Sequence, residues 1–258
     1  MTAVTPHRTP HLPHLRPHLP SPRTWPGMLA DLWRPVRASL GRDRPAVFPW
    51  VAIGLATSVL VTSVVVGSFT HEISNSLGNT LGTGWPTLRG GRWWTLLSSF
   101  VLTRNWFMAA TMPVCLFAGL AVYERRAGHV RAFTVAFIGH VTCTVIVSLA
   151  FAPLALTGAH VLVRAADNVD YGGSMAIAAG IGALLAYVGD KRLTLVVVGL
   201  ALAGTLAHHQ MSDWGHVAAL PAGYGFASIE HRHHALLAGG AVVGITILVV
   251  LALPGLVG

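Results

Sequence analysis

The stretch VDYGGSMAIAAGIGALLAY, residues 169–187, changes character along its length. Its second half is apolar enough to lie in lipid, whereas its first half carries a carboxylate, a phenol, two glycines and Ser174. Two glycines before the serine allow a tight turn and leave access to the hydroxyl group. The stretch therefore predicts a buried helix whose first turn exposes a serine.

The whole chain has the composition of an integral membrane protein. Hydrophobic residues make up 53% of the 258 residues and charged residues 10%, with a mean hydropathy of +0.61, whereas soluble domains carry about 25% charged residues. We therefore expect an all-α, polytopic membrane helical bundle. Seven apolar segments have about the length that a helix needs to cross a bilayer, and we place them at 47–67, 105–123, 131–153, 172–189, 192–208, 213–229 and 235–254.

Residues 1–46 differ from the rest, because they are rich in proline, histidine and arginine and lack apolar periodicity. This pattern predicts a disordered basic tail, with a short interfacial helix at residues 25–36. The net charge of +8 does not indicate nucleic acid as a partner, since a basic segment before the first span is more simply a topology signal. A solvated tail is also favoured over a metal site, because no cysteine or carboxylate fixes the spacing of its histidines.

The distribution of lysine and arginine predicts the orientation in the membrane. With the N-terminus in the cytoplasm, most of these residues fall inside, and the outer segments keep Arg89, Arg92, Arg104 and Arg164. We expect a cytoplasmic N-terminus and an extracytoplasmic C-terminus, in the plasma membrane. The long outer connection at 68–104 is expected to form short helices lying in the outer interface.

Ser174 and His216 form the candidate catalytic pair. In this topology both residues begin spans that run inward from the outer surface, so they lie at similar depth. Small residues continue the same helix faces, Ala178 and Gly182 after the serine and Ala219 and Gly223 after the histidine, and such faces let helices approach closely in a membrane. A neutral imidazole beside a hydroxyl can remove its proton and make it a nucleophile.

Each of these residues also has a purely structural interpretation. A serine at a helix start is most often an N-cap, and a histidine can simply bond a carbonyl of a neighbouring helix. Asp213 could orient His216 from the same helix face, and Asp170 or Asp167 could reach the site, although helix-terminal or turn roles are favoured for all three. His140, in the middle of a span, is interpreted as an interhelical hydrogen-bonding residue rather than a functional one.

These residues stand in motifs that resemble those of the rhomboid family of intramembrane serine proteases. GGSMAIAAGIGALLAY is similar to the family's Gly-x-Ser-Gly helix, and GHVAALPAGYGFA to its His-x-x-Gly-x-x-x-Gly helix. GRWWTLLSSF resembles the Trp-Arg loop before the second span, and CLFAGLAVYERRAG the Gly…Glu-Arg…Gly end of that span. The resemblance covers residues 47–254 and implies a rhomboid-like domain over 47–258, with six core transmembrane helices and one C-terminal helix.

The resemblance implies that Ser174 is the nucleophile and His216 its base, supported by Gly172 and Gly173, with no metal or cofactor. The substrate would be a transmembrane segment of another membrane protein. This chain departs from the family where the second span usually carries histidine and asparagine as oxyanion donors, because these positions hold Met108 and Met112. An alternative is therefore a catalytically inactive rhomboid-like protein that binds or chaperones membrane clients. A transporter is less favoured, because the chain lacks duplicated halves and a series of intramembrane charges.

Overall fold

The computed structural model describes residues 47–155, 169–208 and 211–229. This part of the chain is helical, and its only extended pairing is an isolated antiparallel bridge between Thr83 and Asp170. The helices are α1 Trp50–Val65, α2 Asn75–Leu81, α3 Trp85–Arg89, α4 Thr95–Val101, α5 Trp106–Ala127, α6 His129–Phe137, α7 Cys143–Ala155, α8 Ser174–Val188, α9 Lys191–His208 and α10 Met211–Ala227. A π-helical turn, Ile138–Thr142, joins α6 to α7.

Two helical stretches are long and apolar enough to cross a membrane, namely α5 and the stretch that α6, the π-helical turn and part of α7 form together. They are Trp106–Ala127 and the continuous helix His129–Ala150, each of 22 residues, while Trp50–Val65 and Ser174–Val188 are shorter apolar helices. Helices occupy the six predicted apolar segments that lie within the described residues, so the helical prediction is confirmed there. That all six cross a bilayer stays a prediction. The tail at 1–46, the histidine-rich residues 231–234, the segment at 235–254 and Asp167 lie outside the described residues.

The connection between α1 and α5 forms short helices, as the sequence predicts. One hydroxyl hydrogen bond joins its end to α1, and another joins its end to its own beginning. Ser63 Oγ and Thr103 Oγ1 lie 2.7 Å apart, and Ser68 Oγ donates to the carbonyl oxygen of Thr103 at 2.6 Å. The bridge from Thr83 to Asp170 then joins this connection to the loop before α8. The loop before Ser174 is thus held by a segment outside α8.

Glu124 fixes the start of α1 against the end of α5. Its side chain is fully buried, and its carboxylate oxygens accept hydrogen bonds from the backbone N–H groups of Val51 at 2.8 Å and Ala52 at 2.7 Å. The Nδ1 atom of His129 lies 2.5 Å from the same carboxylate. Since Pro49 supplies no side-chain cap, Glu124 satisfies N–H groups that α1 leaves open.

Helix α8 lies at the centre of the bundle, packed against α5, α6 and α10. Small residues make this position possible, because a methyl group at Gly180 would lie 2.9 Å from the carbonyl oxygen of Gly119 in α5. A methyl group at Gly139 would lie 2.7 Å from the carbonyl oxygen of Met175. At these glycines the backbone of α8 therefore lies directly against its neighbours.

Candidate active site at the start of two parallel helices

Helices α8 and α10 are in direct backbone contact. A methyl group at Gly182 would lie 2.0 Å from the carbonyl oxygen of Leu220, and one at Gly223 would lie 2.0 Å from that of Ala179. Both distances are far below van der Waals contact, so only glycine fits at either position. The small-residue faces predicted from Ser174 and His216 meet at these two glycines.

The register of this contact is parallel and brings the starts of the two helices together. At the first turns, a methyl group at Gly215 would lie 2.2 Å from Met175 Cε. Further along, Ala179 faces Gly223, so positions advance in the same direction in both helices. Ser174 precedes Met175 and His216 follows Gly215. The candidate pair thus flanks the first contact between α8 and α10.

Ser174 is the first residue of α8 and does not cap it. Gly173 occupies the N-cap position, and no side-chain hydrogen bond caps the helix. Gly172 has a φ of 89°, which favours glycine, and its N–H donates to the carbonyl oxygen of Ser99 at 2.7 Å. The predicted tight turn is present, and the half-buried serine hydroxyl is left for another role.

His216 is half-buried, and its Nε2 atom is buried without a hydrogen-bond partner in the described part of the chain. Ser174 Oγ is therefore not bonded to that nitrogen in this state of the molecule. Asp213, one turn earlier on α10, is close enough for its charge to act on the imidazole ring. A carboxylate beside a histidine stabilises the imidazolium that forms when the ring accepts a proton.

Asp170, on the loop before α8, is a second residue on which the charge of Asp213 acts. The residue is 9% exposed; Oδ1 accepts the N–H of Tyr171 at 2.9 Å, and Oδ2 is buried with no hydrogen-bond partner among the described residues. Burial raises the pKa of Asp170 to about 7, the hydrogen bond from Tyr171 opposes that shift, and the charge of Asp213 adds to it. Asp170 and His216 are thus both within electrostatic range of Asp213.

Met108 and Met112, the residues at which the resemblance implies oxyanion donors, both border Gly172. A methyl group at Gly172 would lie 2.9 Å from Met112 Cε and 3.3 Å from Met108 Cε. The ring of Phe100 borders the next residue, with Cε2 3.1 Å from a methyl group at Gly173. The loop before Ser174 is therefore covered by thioether and aromatic groups, which donate no strong hydrogen bonds.

A second serine–histidine pair lies deeper in the bundle. Ser99 Oγ and His140 Nε2 are hydrogen-bonded at 3.2 Å, and both residues are almost completely buried. The ring of Phe100 meets His140 edge-on at 5.0 Å. The structure confirms His140 as an interhelical hydrogen-bonding residue, whereas the sequence did not single out Ser99 as its partner.

No group of three side chains suited to bind a metal ion occurs within the described residues. Comparison of the chain with models of protein families, with curated proteins and with solved structures finds no match. The functional interpretation therefore rests on the geometry of these side chains and on the sequence motifs.

Proposed function

We propose that this chain is a rhomboid-like intramembrane serine protease, with Ser174 as nucleophile and His216 as general base. The observation that supports this most is the parallel contact of α8 and α10, which brings both residues to the same end of the bundle. Two further observations support it: Ser174 does not cap α8, and Nε2 of His216 has no hydrogen-bond partner within the described ranges. No cofactor is needed for this chemistry.

The reaction would proceed through an acyl-enzyme. Ser174 Oγ attacks the carbonyl carbon of the scissile peptide, while His216 Nε2 takes the hydroxyl proton. The tetrahedral intermediate collapses, and His216 gives that proton to the leaving amine. Water then attacks the acyl group with His216 again as base, which releases a carboxylic acid and restores the serine.

The proposal places the reaction within a membrane. Large apolar side chains cover outward faces of several helices, with Val65 78%, Leu195 72% and Leu200 69% exposed. Such extensive exposed apolar surface is typical of membrane contact. We infer a plasma-membrane protein with a cytoplasmic N-terminus and an extracytoplasmic C-terminus, whose substrates are transmembrane segments cleaved near the outer face.

Reaction with a fluorophosphonate probe in detergent tests the proposal. The wild-type protein should be labelled and Ser174→Ala should not, whereas Ser99→Ala, which removes the other histidine-paired serine, should be labelled like the wild type. Circular dichroism and thermal unfolding establish that all three proteins are folded. Absence of labelling in folded wild-type protein, or equal labelling of Ser174→Ala, would overturn the assignment.

One observation favours a second candidate function. Met108 and Met112 border Gly172 where donors to the oxyanion are expected, and losing one such donor typically costs about 10²–10³ in rate. A catalytically silent protein that binds membrane clients would keep this fold without those donors. It predicts no labelling of the wild type, and client capture that is the same for Ser174→Ala and the wild type.

A further inference from the structure

The proposed reaction needs a hydrogen-bond donor that the second span does not supply. Attack by Ser174 places a negative charge on the carbonyl oxygen of the substrate, and donors aimed at that oxygen usually make a large contribution to catalysis. Met108 and Met112 fill the space beside Gly172, two residues before Ser174. A thioether has no proton to donate. A donor would therefore have to come from another element.

Asp170 is an unsatisfied polar group close to this space. Only three residues separate it from Ser174, and the positive φ of Gly172 turns the intervening backbone. The backbone of Asp170 is held by two hydrogen bonds to Thr83, one in each direction. Its Oδ1 is occupied by the N–H of Tyr171, which leaves the buried Oδ2 without a partner among the described residues. A buried polar atom without a partner is rare and calls for an explanation.

The surroundings of Asp170 favour its neutral form. The side chain is nine-tenths buried, and an isolated buried carboxylate is costly. Asp213 at the start of α10 and Tyr171 on its own loop act on Asp170, while Asp213 also acts on His216 and Arg104 on Tyr171. Because Asp213 carries a like charge, it adds to the preference of Asp170 for its proton. A neutral carboxyl group has one O–H to donate.

We propose that Asp170, in its neutral form, donates the hydrogen bond to the oxyanion that Met108 and Met112 cannot donate. This inference rests on the proposed protease function. No bond to Asp170 forms or breaks in the reaction, because its proton stays on the carboxyl group while the oxyanion forms and collapses. The group is therefore a catalytic residue that touches the reacting oxygen, and it substitutes in this chain for donors on a different helix.

The inference makes a specific prediction for pH dependence. Since the pKa of Asp170 is raised to about 7, the donor is present below that pH and is lost as the pH rises through it. His216 acts in the opposite sense, because it must be neutral to accept the proton from Ser174. The rate should therefore be highest near neutral pH and fall on the alkaline side, where a serine–histidine pair alone would stay at its plateau.

The test measures the rate of fluorophosphonate labelling from pH 5 to 9 for the wild type, Asp170→Asn and Asp170→Leu. The amide introduced by Asp170→Asn keeps a donor but does not titrate, so this variant should stay active and lose the alkaline decline. Asp170→Leu keeps the size of the side chain without a donor and should be slower by about 10² at pH 6. Asp190→Asn is the matched control, because Asp190 accepts N–H groups at the start of α9, and it should follow the wild-type profile.

The outcomes separate the two proposals. If the folded wild-type protein shows no labelling that depends on Ser174, the protease assignment fails and the role of Asp170 fails with it. If the wild type is active and Asp170→Leu keeps its rate, only the role of Asp170 is overturned. An alkaline decline that persists in Asp170→Asn also overturns it, since the titrating group must then be another residue. Thermal unfolding of each variant identifies a loss of activity that comes from misfolding.

Discussion

Two serine–histidine pairs with opposite properties lie in the described part of the molecule, an inner pair (Ser99 and His140) and an outer pair (Ser174 and His216). Ser99 and His140 are hydrogen-bonded at 3.2 Å, yet the serine is 0% and the histidine 1% exposed. Ser174 and His216 are not bonded through Nε2, but both are half-buried rather than sealed, and Asp213 acts on the histidine. Under the proposed function, access for a substrate and a carboxylate beside the base matter more than a hydrogen bond already formed within the pair.

The inner pair has a structural role that explains its burial. Ser99 bonds His140 through its hydroxyl and Gly172 through its carbonyl oxygen. It therefore links the π-helical turn to the loop before Ser174. The outer pair depends only on the backbone bond from Ser99, which Ser99→Ala retains, because Gly172 must keep its unusual φ for the serine to lie at the start of α8.

The largest expected difference between the pairs concerns the two histidines. His216→Ala should lower the rate of fluorophosphonate labelling by about 10³ or more, since removing one member of such a unit removes most of its contribution. His140→Gln should keep labelling within a few-fold of the wild type and lower the temperature of unfolding instead. Equal losses of labelling in both variants, with unchanged unfolding, would contradict the distinction drawn between the pairs.

A second test disrupts the contact between α8 and α10, the helices that carry the outer pair. Gly223→Ala should destabilise the protein by about 3 kcal/mol, because the new methyl group would lie 2.0 Å from the carbonyl oxygen of Ala179 and the backbones would have to move apart. Gly225→Ala is the matched control, since no atom lies within 4 Å of the position of its methyl group. It should be neutral or stabilising by up to about 1 kcal/mol. Thermal unfolding in detergent measures both, and equal effects would argue against the close contact.

A third test supplies the outer pair with a donor on the second span. Met112→Asn should raise the rate of labelling about tenfold, because an amide near Gly172 can donate to the oxyanion. Thr111→Asn is the matched control, because the hydroxyl group of Thr111 bonds the carbonyl oxygen of Phe107 in the preceding turn of α5. It should leave the rate of labelling unchanged. A Met112→Asn protein that is folded and no faster than the wild type would show that the methionines do not border the reacting oxygen.

The smallest expected effect concerns the stability contributed by the inner pair. Ser99→Ala should lower the free energy of unfolding by about 1–3 kcal/mol, because it leaves the buried Nε2 of His140 without its partner. Ser58→Ala removes a hydroxyl that bonds only the carbonyl oxygen of Leu55 in its own helix, and it should cost less than about 0.5 kcal/mol. Equal unfolding temperatures for the two variants would show that the inner hydrogen bond contributes little.

Sequence reasoning predicts the helices, and the contact between the two helices that carry Ser174 and His216, because these signals are local. Apolar runs of suitable length mark the helices, and spaced small residues mark the contact that Gly182 and Gly223 form. In each case the physical cause lies within one or two segments of the chain. The interest of Met108 and Met112 comes from the resemblance alone, and the structure places both side chains beside Gly172.

The remaining features depend on contacts between distant segments, which leave no periodic pattern. Ser99 and His140 are 41 residues apart, and nothing near either residue specifies the other. The bridge of Thr83 to Asp170 joins two loops, so the sequence alone favours a turn role for Asp170. The N-cap interpretation of Ser174 is wrong because Gly173 already occupies that position, a difference of one residue that composition does not resolve.

The hydrogen bonds from the start of α1 to the carboxylate of Glu124 have a consequence for biosynthesis. The N–H group of Ala52 at the start of α1 is satisfied by a carboxylate 72 residues further along the chain. During translation, α1 leaves the ribosome well before that carboxylate exists, so its first turn stays incomplete while α5 is being made. Docking of the first helix therefore cannot be completed before α5 has been made, and nascent chains that end before residue 124 should leave the beginning of α1 open to proteases.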